Sequence, residues 1–566
     1  MLRFIKNHWG IILAVILLGI VYYLDSSKFL TWINVDSDGP EYVMDARFFF
    51  PAHHTSAPLF LLLGHVFLWI PFGSEYWRMS LMSAIFTLGA AIFIYLIVRQ
   101  LVQKHARFYG ILASVIFGGA ALVIAQATIV ETYSVVTFFS VAAYYFVIKK
   151  KWYWASAMIG AGILTHHLMF LTYIVLFVFH KELRPFKFKP FKIQNVKPFL
   201  ITCSFLILYA YMPLSIRFTD QPNMWGNTTF LDFFKNNIAV FNMLVGQLPI
   251  YELPKRILET FGVLGISLGL ATIPVIWFLI KQKTWKSEWL FLFGLPVLYF
   301  CTDLAPQVSK YAEASIAWGP IIAVIALSKV NWKWTIPIVL SAITLLSYNS
   351  WYFNVGGHLD KNYAAQQFYD YEIPKMQDGD IFVTMAAWEW IEVYLYNKEE
   401  GHSINPICIG VLASEKYQDL LREKGIKISS LMTDVQPGSD SHDLNEKQVA
   451  VAMSIVELND HVWTSRSTQP EVYGAEIVPA KGNEHLITMW VGQKDVVPQW
   501  KWKPMNPWRI IDGSREITDW TFIMQSTYSC MFFAEFATFG LFLNYLINRL
   551  FFNKRKEEKQ LVAIDK

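Results

Sequence analysis

The sequence predicts an α-helical polytopic membrane protein with about twelve transmembrane helices and a small α/β domain on the outer face. Three observations predict it. Of 566 residues, 54% are hydrophobic and only 16% are charged, against about 25% charged in a typical soluble chain. Mean hydropathy is +0.34, so the chain lacks the charge to cover its own surface, and the bilayer must be its solvent. Apolar runs recur along the chain, and Lys and Arg gather in the loops between alternate runs.

The runs place spans at 9–25, 76–98, 107–125, 132–148, 152–165, 167–180, 197–214, 257–280, 287–301, 312–328, 333–350 and 525–551. Basic loops mark the cytoplasmic side: Arg3 and Lys6, RQLVQKHAR at 99–107, Lys149 to Lys151, KELRPFKFKPFKIQNVK at 181–197, KQKTWK at 281–286, Lys329 with Lys333, and the tail NKRKEEK. The run PLFLLLGHVFLWI at 58–70 is apolar but only about half a span long. If it crossed, RQLVQKHAR would be exported. If it lies at the outer interface, every basic loop falls inside, and both termini are cytoplasmic. The first apolar run has no small-residue cleavage site and is expected to remain as a helix.

Three outer segments follow from this topology. In the last, 351–520, β-like runs at 380–384, 404–410, 461–464 and 485–489 alternate with helical stretches near 386–397, 414–424 and 444–457. That alternation predicts a small α/β domain. The expected division is a membrane domain 1–350 with an outer loop 26–75, the outer domain 351–520, and a last helix with a basic tail at 521–566. No internal repeat of the kind found in transporters is visible. The net charge of +4 is small and spread, which excludes a nucleic-acid footprint. Four Cys exclude a disulfide framework, since Cys203, Cys301 and Cys530 lie in apolar runs and Cys408 stands alone.

The first outer loop reads NVDSDGPEYVMDARFFFPAHHTSAPLF and holds Asp36, Asp38, Glu41 and Asp45. One reading is a solvated acidic loop. Against it, Gly39 and Pro40 are expected to fix a turn among the acids, and His53 and His54 follow at once. A carboxylate beside a lipid-facing cleft suits a general base that takes a proton from an acceptor hydroxyl. Asp38, Glu41, His53 and His54 together would also suit a divalent cation. Their spacing is not diagnostic, so no metal ligand or cofactor is assigned.

Glu131 stands where the third span emerges outside, as an interfacial anchor or as a functional ionisable group. His166 and His167 interrupt an apolar run at an outer reversal, either as a polar hairpin or as hydrogen-bond donors to a phosphate. Arg217, after Tyr211 and Pro213, either anchors a helix end or binds a phosphate; Lys310 is a weaker candidate. Asn227-Thr228-Thr229 matches the glycosylation acceptor pattern, which arises often by chance.

These motifs, in this order, resemble the GT-C superfamily of membrane glycosyltransferases that use polyprenyl-phosphate sugars. SEYWRMSLMSAIFTLGAAIFIYLIVRQL looks like the second-helix stretch of its aminoarabinose and mannosyl transferase branches. The closer resemblance is to bacterial proteins and the animal membrane protein O-mannosyltransferases related to them. It rests on Asp38-Gly39-Pro40-Glu41, His53-His54 through Pro58-Leu59, Glu131-Thr132-Tyr133, Gly162 to His166-His167, Tyr211-Met212-Pro213-Leu214 and Met224-Trp225-Gly226-Asn227. His54-Thr55 replace the family's prolines, Pro40 is an insertion and Met224 replaces Asn. The resemblance fades beyond residue 350.

The resemblance implies an inverting glycosyltransferase. Its donor is a polyprenyl-phosphate sugar, and its acceptor is a protein or glycan hydroxyl on the outer face. It places Asp38 as base with Asp36 as its rival, Glu41 in support, and His53, His54, Glu131, His166, His167, Arg217 and Trp225 around the substrates. Two other classes stand beside it: a lipid-linked glycan flippase, and a non-catalytic receptor or assembly subunit built around the outer domain.

Overall fold

The computed structural model describes residues 2–26, 39–50, 57–166, 169–184, 186–188, 191–193, 196–218, 317–329, 335–351, 368–384, 387–408 and 415–429, with parts of 271–277, 412, 451–465 and 486–487. The expected spans at 287–301 and 525–551 lie outside the described residues, and that at 257–280 almost wholly so.

The described chain is largely helical. In chain order the helices are α1 (Leu2–Asp25), α2 (Gly39–Phe48), α3 (Pro58–Leu68), α4 (Glu75–Leu101), α5 (Ala106–Gly118), α6 (Ala121–Ala127), α7 (Tyr133–Ile148), α8 (Trp152–Ile163) and α9 (Met169–Phe179). They continue with α10 (Val196–Phe205), α11 (Tyr211–Phe218), α12 (Trp318–Leu327), α13 (Thr335–Trp351), α14 (Ala387–Glu400) and α15 (Glu415–Glu423). Among the described residues, two stretches are long and apolar enough to cross a membrane: His8–Asp25 with 18 residues and Glu75–Leu101 with 27. The α1 residues Leu13, Ile16, Leu17, Ile20 and Leu24 recur at helical spacing and are exposed, so α1 turns an apolar face outward, as a lipid-facing helix does.

The helices run back and forth between two levels. Tyr95 near the end of α4 meets His8 at 3.3 Å, and the Tyr22 hydroxyl donates to the Gly118 carbonyl at 2.8 Å, so α1 and α5 share their far ends. Lys149 after α7 donates to Gln100 at 3.0 Å, whereas Ser83 of α4 faces the Glu131 carbonyl just before α7. Tyr109 at the start of α5 donates to Leu327 at 3.3 Å. Trp318 of α12 packs edge-on against Tyr144 of α7, centroids 5.1 Å apart. One level therefore gathers Arg99, Lys104, Arg107 and Lys149 to Lys151. The other gathers Asp25, α2, the start of α4, Glu131 and His166.

Three departures from the sequence reading have local causes. The run 107–125 is not one helix: it breaks at Gly119 and Ala120 into α5 and α6. A Cβ on Gly119 would meet the Val115 carbonyl oxygen at 2.9 Å and Leu346 at 3.0 Å, so the crossing needs glycine, and Tyr22 satisfies the freed Gly118 carbonyl. The run 197–214 also divides, with a 3-10 turn at Leu206–Ala210 before α11. Pro213 has no N–H for an α-helical bond to the Tyr209 carbonyl, yet is tolerated in the first turn of α11. The basic loop 181–197 contains a small antiparallel hairpin, β1 (Phe186–Phe188) and β2 (Phe191–Ile193).

The C-terminal described part forms a four-stranded sheet in the order β4-β3-β5-β6, with β3 (Ile381–Thr384), β4 (Asn405–Cys408), β5 (Val462–Ser465) and β6 (Leu486–Ile487). All its pairings are parallel, and α14 supplies the crossover from β3 to β4, as parallel pairing requires. The strands coincide with the β-like runs of the sequence, β5 ending one residue past its run. Ile381, Val383, Ile407 and Cys408 are buried, and Met44 and Phe50 join the same core.

Candidate functional site

The segment expected as an acidic turn contains instead a helix, α2, with eight of its ten residues buried. Gly39 and Pro40 open that helix; Pro needs no N–H in a first turn and pre-sets its φ. Glu41 and Asp45 are one helical step apart (i, i+4) and so share a face. They are only 6% and 1% exposed. Adjacent like charges destabilise a helix, and burying a carboxylate is costly unless it is compensated. Two carboxylates held almost wholly inside the protein on one helix face mark α2 as a functional-site candidate.

Four elements hold α2. From α3, His65 Nδ1 lies 2.8 Å from the Ala46 carbonyl, and Gly64 lets α3 approach closely, since a Cβ there would meet Met79 at 2.6 Å and Ala46 at 3.2 Å. From α11, Tyr211 donates to the Phe50 carbonyl at 3.1 Å and Ser215 donates to the Phe49 carbonyl. Phe49 itself sits at φ 58°, a left-handed conformation that a bulky residue keeps only where its surroundings impose it. Arg47 donates to Glu75 of α4 at 3.2 Å and also to Glu399 of α14. Finally, Phe50 packs against Tyr394 of α14, centroids 5.9 Å apart. Glu399 also accepts from the Tyr369 hydroxyl. Burial first, then that bond and charge, push the Tyr369 phenol well above its ordinary value, so it stays a donor.

A second group stands at the same level. Glu131 is 1% exposed, and its side chain accepts from the Thr132 N–H at 3.3 Å, immediately before α7. Tyr133 then meets His166 with ring centroids 5.3 Å apart. The fold thus brings together two motifs separated by about thirty residues in sequence. The Leu59 N–H donates to the Leu164 carbonyl at 3.2 Å, tying the start of α3 to the turn that carries His166.

Of the sequence candidates, Glu41, Glu131 and His166 gather at this level, the first on α2 and the others beside α7. Arg217 is exposed on α11, its guanidinium 5.9 Å from the Phe218 ring. It makes no ion pair among the described residues. Asp36, Asp38, His53, His54, His167, Trp225 and Lys310 lie outside the described residues, although Asp38 directly precedes α2 in sequence. Among the described residues no group of three or more His, Cys, Asp or Glu could hold a metal. Asp45 stood among the four acids of the loop without a role, and Arg47 and Asp25, the latter 1% exposed at the end of α1, were not singled out by sequence. The i, i+4 spacing of Glu41 and Asp45 behind a helix-opening proline was the signal for Asp45. Arg47 needed its partners from α4 and α14, which no local pattern reveals.

A family described as protein O-mannosyl-transferase TMEM260, N-terminal domain, matches residues 38–184. No curated protein matches the chain. Among solved structures the chain is similar to ArnT from Cupriavidus metallidurans bound to undecaprenyl phosphate, with 12% identity and a TM-score of 0.48, over 70% of this chain and 89% of that one. It is also similar to the oligosaccharyltransferase of Archaeoglobus fulgidus in the apo form, with 12% identity and a TM-score of 0.43, over 74% of this chain and 69% of that one. The archaeal AglB from the same organism, in complex with an inhibitory peptide and a dolichol-phosphate, aligns with 11% identity and a TM-score of 0.44, over 74% and 69%.

Proposed function

We propose that this chain is an inverting GT-C-type glycosyltransferase. It moves a sugar, mannose as the leading candidate, from a polyprenyl-phosphate carrier to an acceptor hydroxyl on a protein or glycan. In this reading 1–350 form the membrane domain, 351–520 the extracytoplasmic α/β domain, and 521–566 the last helix and basic tail. Both termini are cytoplasmic, and about twelve helices span the membrane. The observation that carries the reading is α2: a helix with two buried carboxylates, clasped by α3, α4, α11 and α14 at the level opposite the basic loops. The match of residues 38–184 to an O-mannosyl-transferase domain supports it and covers α2 to α9.

Asp38, directly before α2, acts as the general base, with Asp36 as its rival and Glu41 in support. The acceptor hydroxyl gives its proton to that carboxylate as its oxygen bonds to the anomeric carbon. The bond from that carbon to the phosphate oxygen breaks, and polyprenyl phosphate leaves. The growing negative charge needs donors. Arg217, exposed and without a carboxylate partner among the described residues, fits that task with His166, His167, His53 and His54. Glu131 and Trp225 complete the substrate surroundings. A divalent cation enters only as a variable of the assay.

The test is transfer by the purified full-length protein from polyprenyl-phosphate mannose to Ser/Thr peptides and glycan acceptors, with chelator and added manganese or magnesium compared. The expected product has inverted anomeric configuration. Absence of transfer from every polyprenyl-phosphate sugar, together with lipid-linked glycan flipping in vesicles, would replace the enzyme with a transporter.

A further inference from the structure

The level opposite α2 carries a cavity of about 720 Å³ at the α4–α5 turn, lined by Arg99, Gln100, Gln103, His105, Arg107 and Phe108, among others. Its sequence, RQLVQKHAR at 99–107, contains no Asp or Glu, so two guanidiniums face this space without a carboxylate from their own segment. Lys149 adds a third positive charge at the rim, 3.0 Å from the Gln100 side-chain oxygen. Arg99 keeps its guanidinium 5.5 Å from the Tyr95 ring, a contact that holds a cation while leaving its N–H groups for an anion. The turn itself is set by His105, which sits at φ 53°.

An apolar track leads away from this basic cavity. Ile85, Ile92 and Arg99 follow one another at seven-residue steps along α4, so they share a face of the helix. Ile85 and Ile92 are 45% and 40% exposed, and Phe108 at the cavity edge is 47% exposed. At 1.5 Å per residue, Ile92 lies about 10 Å and Ile85 about 20 Å from Arg99, against a leaflet of hydrocarbon about 15 Å deep. Cationic and N–H-rich at one end, aliphatic along one side, the surface matches a molecule with an anionic head and a fatty chain.

We propose that the α4–α5 turn is a binding site for one anionic glycerophospholipid. Its phosphate lies between Arg99 and Arg107, and an acyl chain runs along Ile92 and Ile85. The site is separate from the carboxylate helix and does not depend on the transferase reading. Basic groups at a membrane surface strengthen binding of anionic lipid by about fivefold each, so losing both arginines lowers affinity about 25-fold.

The test uses the full-length protein in neutral detergent and an acyl-labelled phosphatidylglycerol read by fluorescence anisotropy. Unlabelled phosphatidylglycerol should displace the probe, while phosphatidylcholine should not. Arg99→Gln with Arg107→Gln should weaken binding about 25-fold, whereas Lys150→Gln with Lys151→Gln at the same level should leave it within twofold. Should the double arginine variant fold poorly, Arg107→Gln alone, on an exposed side chain, should cost about fivefold. Arginine variants that bind like wild type, or a lysine pair that loses as much, would overturn the site. Glycerol 3-phosphate and inorganic phosphate are the soluble competitors. If either displaces the probe as well as phosphatidylglycerol does, the lipid assignment fails.

Discussion

Neutralising a buried carboxylate of α2 should leave the protein as stable as before, or more so, while transfer collapses. Glu41 and Asp45 share a helix face, 6% and 1% exposed, and residues four apart on a helix have Cβ atoms about 6 Å apart. Two unit charges about 6 Å apart, were both groups ionised, would repel by about 3 kcal/mol at an effective dielectric near 20. Asp45→Asn removes that repulsion and gives up hydrogen bonds to a charged group, worth about 1.5–3 kcal/mol. The two terms nearly cancel, so the melting temperature should move by no more than a few degrees, upward for preference. If Asp45 were instead half of a structural buried pair, removing it would cost about 3–5 kcal/mol. Glu41→Gln follows the same arithmetic; both side chains act by positioning Asp38 before them, so the expected loss of transfer is about 10²-fold, the low end for a general base. The assay pairs thermal unfolding in detergent with initial rates from polyprenyl-phosphate mannose. A clear drop in melting temperature with transfer within threefold of wild type would show that these carboxylates hold the fold and do not serve the chemistry.

Asp38→Asn should abolish transfer and leave unfolding unchanged, because it keeps the side chain's size and removes only its charge and basicity. Loss for Asp36→Asn alone, in parallel rate measurements, would move the base to Asp36. Arg217→Ala should lower kcat about 10²-fold, the scale of one lost charge-stabilising donor, with little change in KM or melting temperature; steady-state kinetics that show KM alone rising would make it a binding anchor. Gly64→Val should loosen α3 from α2 and α4, since a Cβ already meets Met79 at 2.6 Å; overpacking of this kind costs about 1–3 kcal/mol, read as a lower melting temperature. Cysteines placed at 74 and 360 should be labelled by an impermeant reagent from the outer side, and labelling at 103 from that side would overturn the topology.

What the sequence made legible depended on periodicity. The strands of the outer sheet, short and rich in buried Ile, Val and Phe, stood out against the helical stretches between them. The long apolar helices α1 and α4 were plain for the same reason. α2 was not: Glu41, Asp45 and Arg47 interrupt the few apolar positions of GPEYVMDARF. Its helix is stabilised by partners from α3, α4, α11 and α14 rather than by its own pattern. The breaks at Gly119 and before α11 were hidden because hydropathy stays high through both. At Gly119 the cause is contact with Leu346, some 230 residues away, which no local window contains. The meeting of Tyr133 with His166 was foreshadowed only by the topology, which put both motifs at helix ends of the same side.

The placing of the outer domain follows from the same helix. Arg47 reaches Glu75 and Glu399 with all three side chains about one-third exposed, and ion pairs so open to water contribute at most about 1 kcal/mol. They do not hold the domain in place. Met44 and Phe50 do, because they lie within the apolar core shared by Ile391, Leu395 and the sheet; each large apolar side chain so buried contributes about 1.5–3 kcal/mol. The Arg47 fork then sets the register in which α14 meets α2, as directional contacts do on an apolar interface. α2 therefore has one face in the apolar core of the sheet and its C-terminal end bonded to α3 and α11. A displacement of the outer domain along α14 would carry Met44 and Phe50 with it, and so shift Glu41, Asp45 and the chain directly before them. In the transferase reading, that coupling makes the geometry of the carboxylates depend on how the outer domain is seated.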